Sequence, residues 1–512
     1  MKKIFYLLFL VSPFISIWSQ NEETTFQYPF GETGIEAPRG VYGTDDRKEV
    51  TDAYGIADFV RATAVMINKA DIVGNKVYGY TLRERLQFRF KSSNFDKNIK
   101  FLDQPTSAMC TGFLIAPDIL VTAGHCIKEL KDAKDYVWVF DYTNELKYNN
   151  TFKYIEIDPN NVYEVTEVLD ARLNNETVDD YSFLRLNRKS ARAPYRFRTS
   201  GKVGYNTKVN TIGSPTGLPL KFAGNATVVD DSQTKWFKNS IDTFPGNSGG
   251  PVFSTYGFLE GIHVRGAVTQ GHNGNYTGDY KYDENCDCIK TVEFSSAYWT
   301  AGAQAHRITQ VPFTRLHQAI YENIEYAIIN NNTERLKSWV AYSWILDHEY
   351  TKKRGRLEIT AAKRNNLEAL KYLISNSSKE NIDIYGETLI KQAISNNNVS
   401  MLEYLLNQDI PFDARSYSAS SYLLSAFKNS DYTMVDTMLN NGWSVNATDY
   451  RGNNLLHLAA SKNNMSLIRK FADKGVSAVS KNRDGKRPEH IAKKNKNKVA
   501  QKYLKKIRKQ QS

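Results

Sequence analysis

Six alanines recur in register through the C-terminal part of the chain. Ala327, Ala361, Ala393, Ala426, Ala459 and Ala492 stand 34, 32, 33, 33 and 33 residues apart. Each lies in a run of helical periodicity, from IEYAIINNNTERLKSW through ITAAKRNNLEALKYL to EHIAKKNKNKVAQKYL. Nine residues after each of the first five alanines comes an apolar side chain: Leu336, Leu370, Leu402, Val435 and Ile468. A small residue on one helix and an apolar one on the next let paired helices pack closely. A unit of this size cannot bury its apolar face alone, so the units must stack. Gln501 holds the ninth position in the last unit, as a polar cap requires. Stacked repeats carry no reactive centre of their own, which makes binding the function of this half. The 512 residues exceed what one core supports, so a separate domain must precede the stack.

That preceding part carries two short segments suited to nucleophilic catalysis: TAGHC at Thr122 to Cys126 and GNSGGP at Gly246 to Pro251. A serine hydroxyl attacks a carbonyl only when an imidazole removes its proton, and the imidazole must be oriented by an acid. Ser248 and His125 are the candidate nucleophile and base. Asp180 of DDYSFLRL is the candidate acid, ahead of Asp179, because it precedes an alternating strand over Tyr181 to Leu186. The N–H groups of Gly246 and Ser248 are the natural oxyanion donors, and Gly249 and Gly250 leave room for substrate. A lone histidine among small residues, or a lone SGG turn, is ordinarily structural. The three residues together define the catalytic constellation His125, Asp180, Ser248, which needs no metal and no cofactor. The opposing readings are an inert protease fold that only binds, and an adaptor dominated by its repeats.

At these residues the chain resembles the chymotrypsin-like serine peptidases, in their bacterial trypsin-like and glutamyl endopeptidase branch. The likeness runs from VYGTDDRKEVTD through CTGFLIAPDILVTAGHC, SPTGLPLKFAGNA, DTFPGNSGGPVF and EGIHVRG, roughly Val41 to Pro312. It implies two Greek-key barrels with a cleft between them, and a disulfide from Cys110 to Cys126 pinning the loop of His125. The short alternating runs Gly112 to Ile115, Tyr136 to Phe140, Lys208 to Ile212, Ala226 to Val229 and Phe258 to Val264 themselves read as antiparallel strands. For specificity the likeness points two ways. Thr243 and His263 match positions where the glutamyl-specific branch binds a carboxylate, with Arg265 and Gly266 following on the same segment; Arg265 reads either as added positive potential on the His263 face or as a solvent-facing rim charge. Asp242, six residues before Ser248, matches the pocket acid of relatives that select Arg or Lys. Asn247 replaces the aspartate that captures a new amino terminus in animal relatives, so activation by that ion pair is not expected. The repeat period is that of ankyrin repeats, with GNNLLHLAA nearest their consensus, and it implies a protein partner. His457 within it reads as a capping or turn-bridging residue.

The domain plan is therefore a signal peptide over 1–19, a propeptide or disordered leader over 20–40, an all-β double Greek-key peptidase over 41–312 and an all-α ankyrin-repeat solenoid over 313–512. MKKIFYLLFLVSPFISIWSQ has two lysines before an apolar run too short to span a bilayer comfortably, and no later stretch is longer, so export to a secreted or periplasmic location without an integral membrane segment is expected. Processing is expected near Arg39 to Val41. Cys286 and Cys288 leave three states open: a labile disulfide, free thiols or part of a metal site, although zinc needs more ligands than this segment offers. The insertion Gln270 to Lys281 reads as a surface loop. Of the net charge of +12, much sits in the tail Lys493 to Lys509, where Tyr503 is the lone aromatic; a solvated helix explains it better than a nucleic-acid arm.

Overall fold

The computed structural model describes residues 45–174, 177, 179–265, 280–293, 302–429 and 432–512. Internal contacts divide the chain into two units between Glu322 and Asn323. The expected signal peptide, leader and processing site lie outside the described residues, as do Gly266 and most of the Gln270 to Lys281 insertion.

The first unit is built on two antiparallel seven-stranded sheets. In chain order their strands are β1 (Lys48–Glu49), β2 (Thr63–Asn68), β3 (Ala108–Ala116), β4 (Ile119–Thr122), β5 (Tyr136–Phe140), β6 (Val162–Tyr163), β7 (Val165–Asn174), β8 (Asp179–Leu186), β9 (Lys208–Gly213), β10 (Lys221–Asp230), β11 (Trp236–Asn239), β12 (Pro251–Ser254), β13 (Leu259–Arg265) and β14 (Ala303–Arg307). The first sheet runs β6-β5-β2-β3-β4-β8-β7. Its two edge strands are consecutive in the chain with only Glu164 between them, so the sheet must curl until its edges meet. The second runs β1-β10-β9-β12-β13-β14-β11, and β10 pairs again with β11, which closes six strands into a barrel. Leu114, Leu120, Trp138, Phe140 and Leu184 fill the first core; Val209, Val228, Phe237, Val252 and Ala305 fill the second. The expected strands lie within these elements, except that the run Phe258 to Val264 begins one residue before β13. The helix Leu82–Phe90 was not foreseen, although its start carries a readable signal: Thr81 and Glu84 form a reciprocal capping box.

Cys110 and Cys126 are bonded, as the resemblance implied. Cys286 is bonded to Cys288, which selects the disulfide from the three open states. That pair closes the turn of a hairpin between Tyr280–Asp283 and Cys288–Thr291. Tyr280, the next-to-last residue of the expected surface insertion, is instead buried and stacks on Phe244.

The second unit is helical. Six helix pairs follow one another: α1 (Phe313–Ile329) with α2 (Thr333–Val340), α3 (Leu357–Lys363) with α4 (Leu367–Asn376), α5 (Lys379–Ser395) with α6 (Val399–Leu406), α7 (Tyr417–Lys428) with α8 (Tyr432–Asn440), α9 (Leu455–Ser461) with α10 (Met465–Asp473), and α11 (Pro488–Lys494) with α12 (Lys498–Gln511). All six register alanines lie on the first helix of a pair and all are buried, as are the five apolar residues nine positions on. Gln501 is half-buried. The division between units falls inside α1 because its first turns belong to the first unit: Arg315 donates to the carbonyl of Leu169, and Glu322 pairs with Arg185 at 2.9 Å.

Paired asparagines make the turn inside several repeats. Asn331, Asn365, Asn397 and Asn463 take the left-handed conformation that this side chain tolerates. The next residues, Asn332, Asn366, Asn398 and Asn464, cap the second helices by accepting from N–H groups three positions on. Asn366 also donates to Asn331 at 2.9 Å and Asn398 to Asn365 at 2.7 Å, so neighbouring turns are laced together. His457 caps and bridges as expected, sharing a capping box with Asn454 and holding the Lys486 carbonyl at 2.9 Å through Nε2.

Candidate active site

Strand register brings the base and the acid together. β4 and β8 pair antiparallel with Thr122 opposite Ser182, so residues just after Thr122 lie beside those just before Ser182. His125 and Asp180 meet there twice. Asp180 Oδ1 accepts the backbone N–H of His125 at 3.0 Å, and Oδ2 lies 2.8 Å from His125 Nδ1. Asp180 is 2% exposed, whereas the His125 side chain is 35% exposed and open to a substrate. Asp179, its neighbour on the strand, points the other way and pairs with Lys235 at 2.7 Å and His306 at 3.5 Å.

The serine loop is pinned to the same place. Thr111, buried on β3 beside Cys110, donates its N–H to the carbonyl of Ser248 at 2.8 Å and its hydroxyl to that of Gly246 at 2.8 Å. The same hydroxyl accepts from Ser214 N–H at 3.1 Å. The sulfur of Cys126 lies 3.7 Å from the Ser248 carbonyl. At Gly249, φ is +83°, and a Cβ there would sit 2.1 Å from Thr122 Oγ1 and 2.7 Å from Ala123 N. The glycine is thus the contact between the serine loop and the histidine loop.

Two backbone donors are left over. Among the described residues, the N–H groups of Gly246 and Ser248 meet no protein acceptor, while those of Asn247, Gly249 and Gly250 bond to Phe244, His263 and Asn247. The Pro245–Gly246 peptide is oriented by Thr216, whose N–H donates to Pro245 O at 2.6 Å. Neither Thr111 nor Thr216 was singled out from the sequence. Both sit within motifs read there, CTGF and SPTG, but nothing in their spacing announces the contact.

The specificity candidates separate. His263 is 2% exposed, and its backbone is paired with Gly249 and Gly250 at 2.7 and 2.8 Å. Its Nδ1 is buried without a partner among the described residues. Burial first, and then the nearby charge of His125, hold its pKa down to about 3 against the opposing pull of Asp180, so the ring is neutral. Thr243 is half-buried before Phe244. Of the two readings of Arg265, the strand register disfavours the one that puts it on the His263 face. A β-bulge sets His263 opposite Ala305 but Arg265 opposite Gln304, and those two successive residues face opposite ways. Asp242 is 2% exposed and is covered by the segment leading into β1: its Oδ2 accepts the N–H of Asp46 at 2.8 Å. Burial pushes its pKa well above the carboxylate range, against the opposing hydrogen bond from the Asp46 N–H and the charge of Arg47, with the charges of Asp45 and Asp46 adding to the rise.

Residues 110–262 match the trypsin-like peptidase domain family, and residues 359–406 and 423–472 match ankyrin repeats in many copies. The chain therefore carries a match to a trypsin-like peptidase domain followed by a helical region that matches ankyrin repeats. The extracellular metalloprotease of Bacillus subtilis (strain 168) is 26% identical over 199 residues, 36% of this chain and 59% of that protein, so the chain spans about three fifths of the curated relative it matches. A solved Glu endopeptidase in complex with MPD is similar at TM-score 0.32 and 16% identity, over 54% of this chain and 97% of that one. The ankyrin repeat domain of Bcl-3, from the IkappaB protein family, is similar at TM-score 0.28 and 18% identity, over 36% and 97%.

Proposed function

We propose that the first unit is an active serine endopeptidase working through an acyl-enzyme. The observation that carries this is the double contact of Asp180 with the main chain and the ring of His125. A carboxylate at Nδ1 keeps the proton there and leaves Nε2 as the base. Ser248 Oγ then attacks the scissile carbonyl carbon while its proton passes to Nε2. The carbonyl electrons move to oxygen, which the free N–H groups of Gly246 and Ser248 stabilise, a contribution of about 3 kcal/mol per donor. Collapse expels the amine, which takes the proton from His125 and leaves an ester on Ser248. Water repeats the sequence and releases the acid.

Cleavage after Glu is the favoured specificity. His263 abuts the serine loop with a buried ring nitrogen that has no partner among the described residues, a group suited to a hydrogen bond with an entering side-chain carboxyl. The rival, cleavage after Arg or Lys through Asp242, is disfavoured because that carboxyl is covered by Asp46 and driven toward its neutral form. Fluorogenic peptides differing only in the residue before the scissile bond test this: Glu substrates are expected to turn over fastest, and faster Arg substrates reject it.

The Bacillus relative is named a metalloprotease. Among the described residues one group of candidate ligands converges, Cys110, His125 and Cys126. Its two sulfurs are bonded to each other and offer no thiolate, and Nδ1 of the histidine faces Asp180. This donor set does not fit a metal needing three protein ligands. Export is supported by the two disulfides, and no helix among the described residues is long and apolar enough to cross a membrane. The repeats are assigned a protein partner and no nucleic acid.

A further inference from the structure

The lysine-rich end of the chain is a docked helix. α12 buries Ala500 and Leu504 against the unit, and Arg508 donates to Glu489 at 3.1 Å. Gln511, in its last turn, accepts from Ala478 N–H at 2.7 Å and donates to Val476 O at 3.3 Å. What the composition suggested was a solvated helix is therefore fastened on one side along its length.

The side left open forms a groove with α10 of about 660 Å³. Met465, Val499 and Tyr503 give it an apolar lining; Val499 is 65% exposed, an unusual position for a valine on a packed helix. Arg469, Lys502, Lys505, Lys506 and Lys509 supply the rest, and no carboxylate lines the groove. Neighbouring cations on these helices do find acids: Lys470 pairs with Asp436 and Arg508 with Glu489. The groove cations have no such partner among the described residues. Lys502 stands three and four residues from Lys505 and Lys506, and these stand four and three from Lys509, spacings at which like charges oppose helix formation. The free protein thus carries a repulsion that an anionic ligand relieves.

We propose that this groove docks an acidic polypeptide segment, its Asp or Glu carboxylates on the lysines and an apolar side chain against Met465, Val499 and Tyr503. Nucleic acid is disfavoured because the single aromatic, Tyr503, already faces the Arg469 guanidinium 5.4 Å from its ring centre, leaving no stacking platform. A helix that lies on a bilayer presents a broad apolar face, whereas this groove offers three apolar residues among five cations. The inference rests on the reading that the repeats bind a protein and gives that partner its chemistry. Acidic segments held here are also rich in the residue after which the peptidase is proposed to cut, and tethering raises their effective concentration.

The test uses the full chain carrying Ser248→Ala and a fluorescein-labelled peptide of Asp and Leu, which offers no Glu bond. Fluorescence anisotropy is compared with the same peptide bearing Asn for Asp, with oligo-dT and with phosphatidylglycerol vesicles. The Asp peptide is expected to bind best, to weaken as salt is raised, and to lose about tenfold in affinity in Lys502→Glu/Lys506→Glu, a change of about 1.4 kcal/mol. Lys502→Gln/Lys506→Gln, expected to lose less, serves if the reversed variant melts early. Absence of Asp-peptide binding, or tighter binding of oligo-dT or vesicles, overturns the proposal. Binding that neither variant weakens overturns the groove while leaving the protein-binding role of the repeats intact.

Discussion

Thr216 holds Pro245. The 2.6 Å bond from the Thr216 N–H to the Pro245 carbonyl turns that carbonyl toward the SPTG loop. In a trans peptide the following N–H points the opposite way, so the same bond aims the Gly246 N–H away from the loop. Thr216 adopts φ +56° to make it, a conformation costly for a threonine.

Substitutions at the two ends of this arrangement should therefore differ. A Cβ on Gly246 would lie 2.2 Å from Ser214 O, and φ there is +99°. Gly246→Ala is expected to lower kcat by about 10²- to 10³-fold through loss of one oxyanion donor, with a smaller change in KM. Thr216→Asn keeps the N–H and tolerates the left-handed backbone, so kcat and melting temperature should hold. Steady-state kinetics and thermal melts of both variants check this, and equal losses contradict it.

Acid should destabilise the peptidase unit through His263. Its pKa is about 3 in the folded chain and near 6.5 when unfolded, so the unfolded state takes up the proton first as pH falls. The stabilisation is whole above about pH 6.5 and is lost on the way down to the folded value, by up to about 1.4 kcal/mol per pH unit. Thermal melts between neutral and mildly acid pH should fall more steeply in the native chain than in His263→Asn. Parallel curves contradict it.

The two disulfides should differ in effect. Cys110 and Cys126 are 16 residues apart, and a loop of that size implies a stabilisation of about 3 kcal/mol, whereas Cys286 and Cys288 are 2 apart and constrain little. Calorimetry of Cys110→Ala/Cys126→Ala should show a clear drop in Tm together with lost activity, since His125 precedes Cys126. Cys286→Ala/Cys288→Ala should melt close to the native chain.

Within the repeats, Asn366 and Asn464 both cap a helix, but of the two, among the described residues, only the Asn366 side chain bonds to the preceding repeat, at Ile328 O and Asn331 Oδ1. Asn464→Ala should cost about 1 kcal/mol and Asn366→Ala measurably more. Urea unfolding of each variant measures the difference, and a larger loss at Asn464 contradicts it.

Much of this was legible where the constraint is local or periodic. Each register alanine is buried because a first helix can approach a second only over a small side chain, and six repetitions made that visible. The choice of Asp180 over Asp179 was also within reach, since alternation along β8 sends successive side chains to opposite faces. What escaped were contacts made by residues far apart in sequence. Thr111 reaches a loop 135 residues on, and Thr216 acts through its backbone, where side-chain identity says nothing. The bulge between His263 and Arg265 inserts one residue without any glycine or proline to mark it, so the period-two rule could not decide between the two readings of Arg265. The spacing of Asp242 from Ser248 says nothing of Asp46, nearly two hundred residues earlier, whose N–H caps its carboxylate.

Ser248 is proposed to be a nucleophile activated by His125. Labelling of the intact protein with a fluorophosphonate probe tests it most directly. Rapid modification of the native chain, abolished in Ser248→Ala and strongly slowed in His125→Ala, is the predicted result. A native chain that folds, keeps both disulfides and yet takes up no probe at Ser248 contradicts the account.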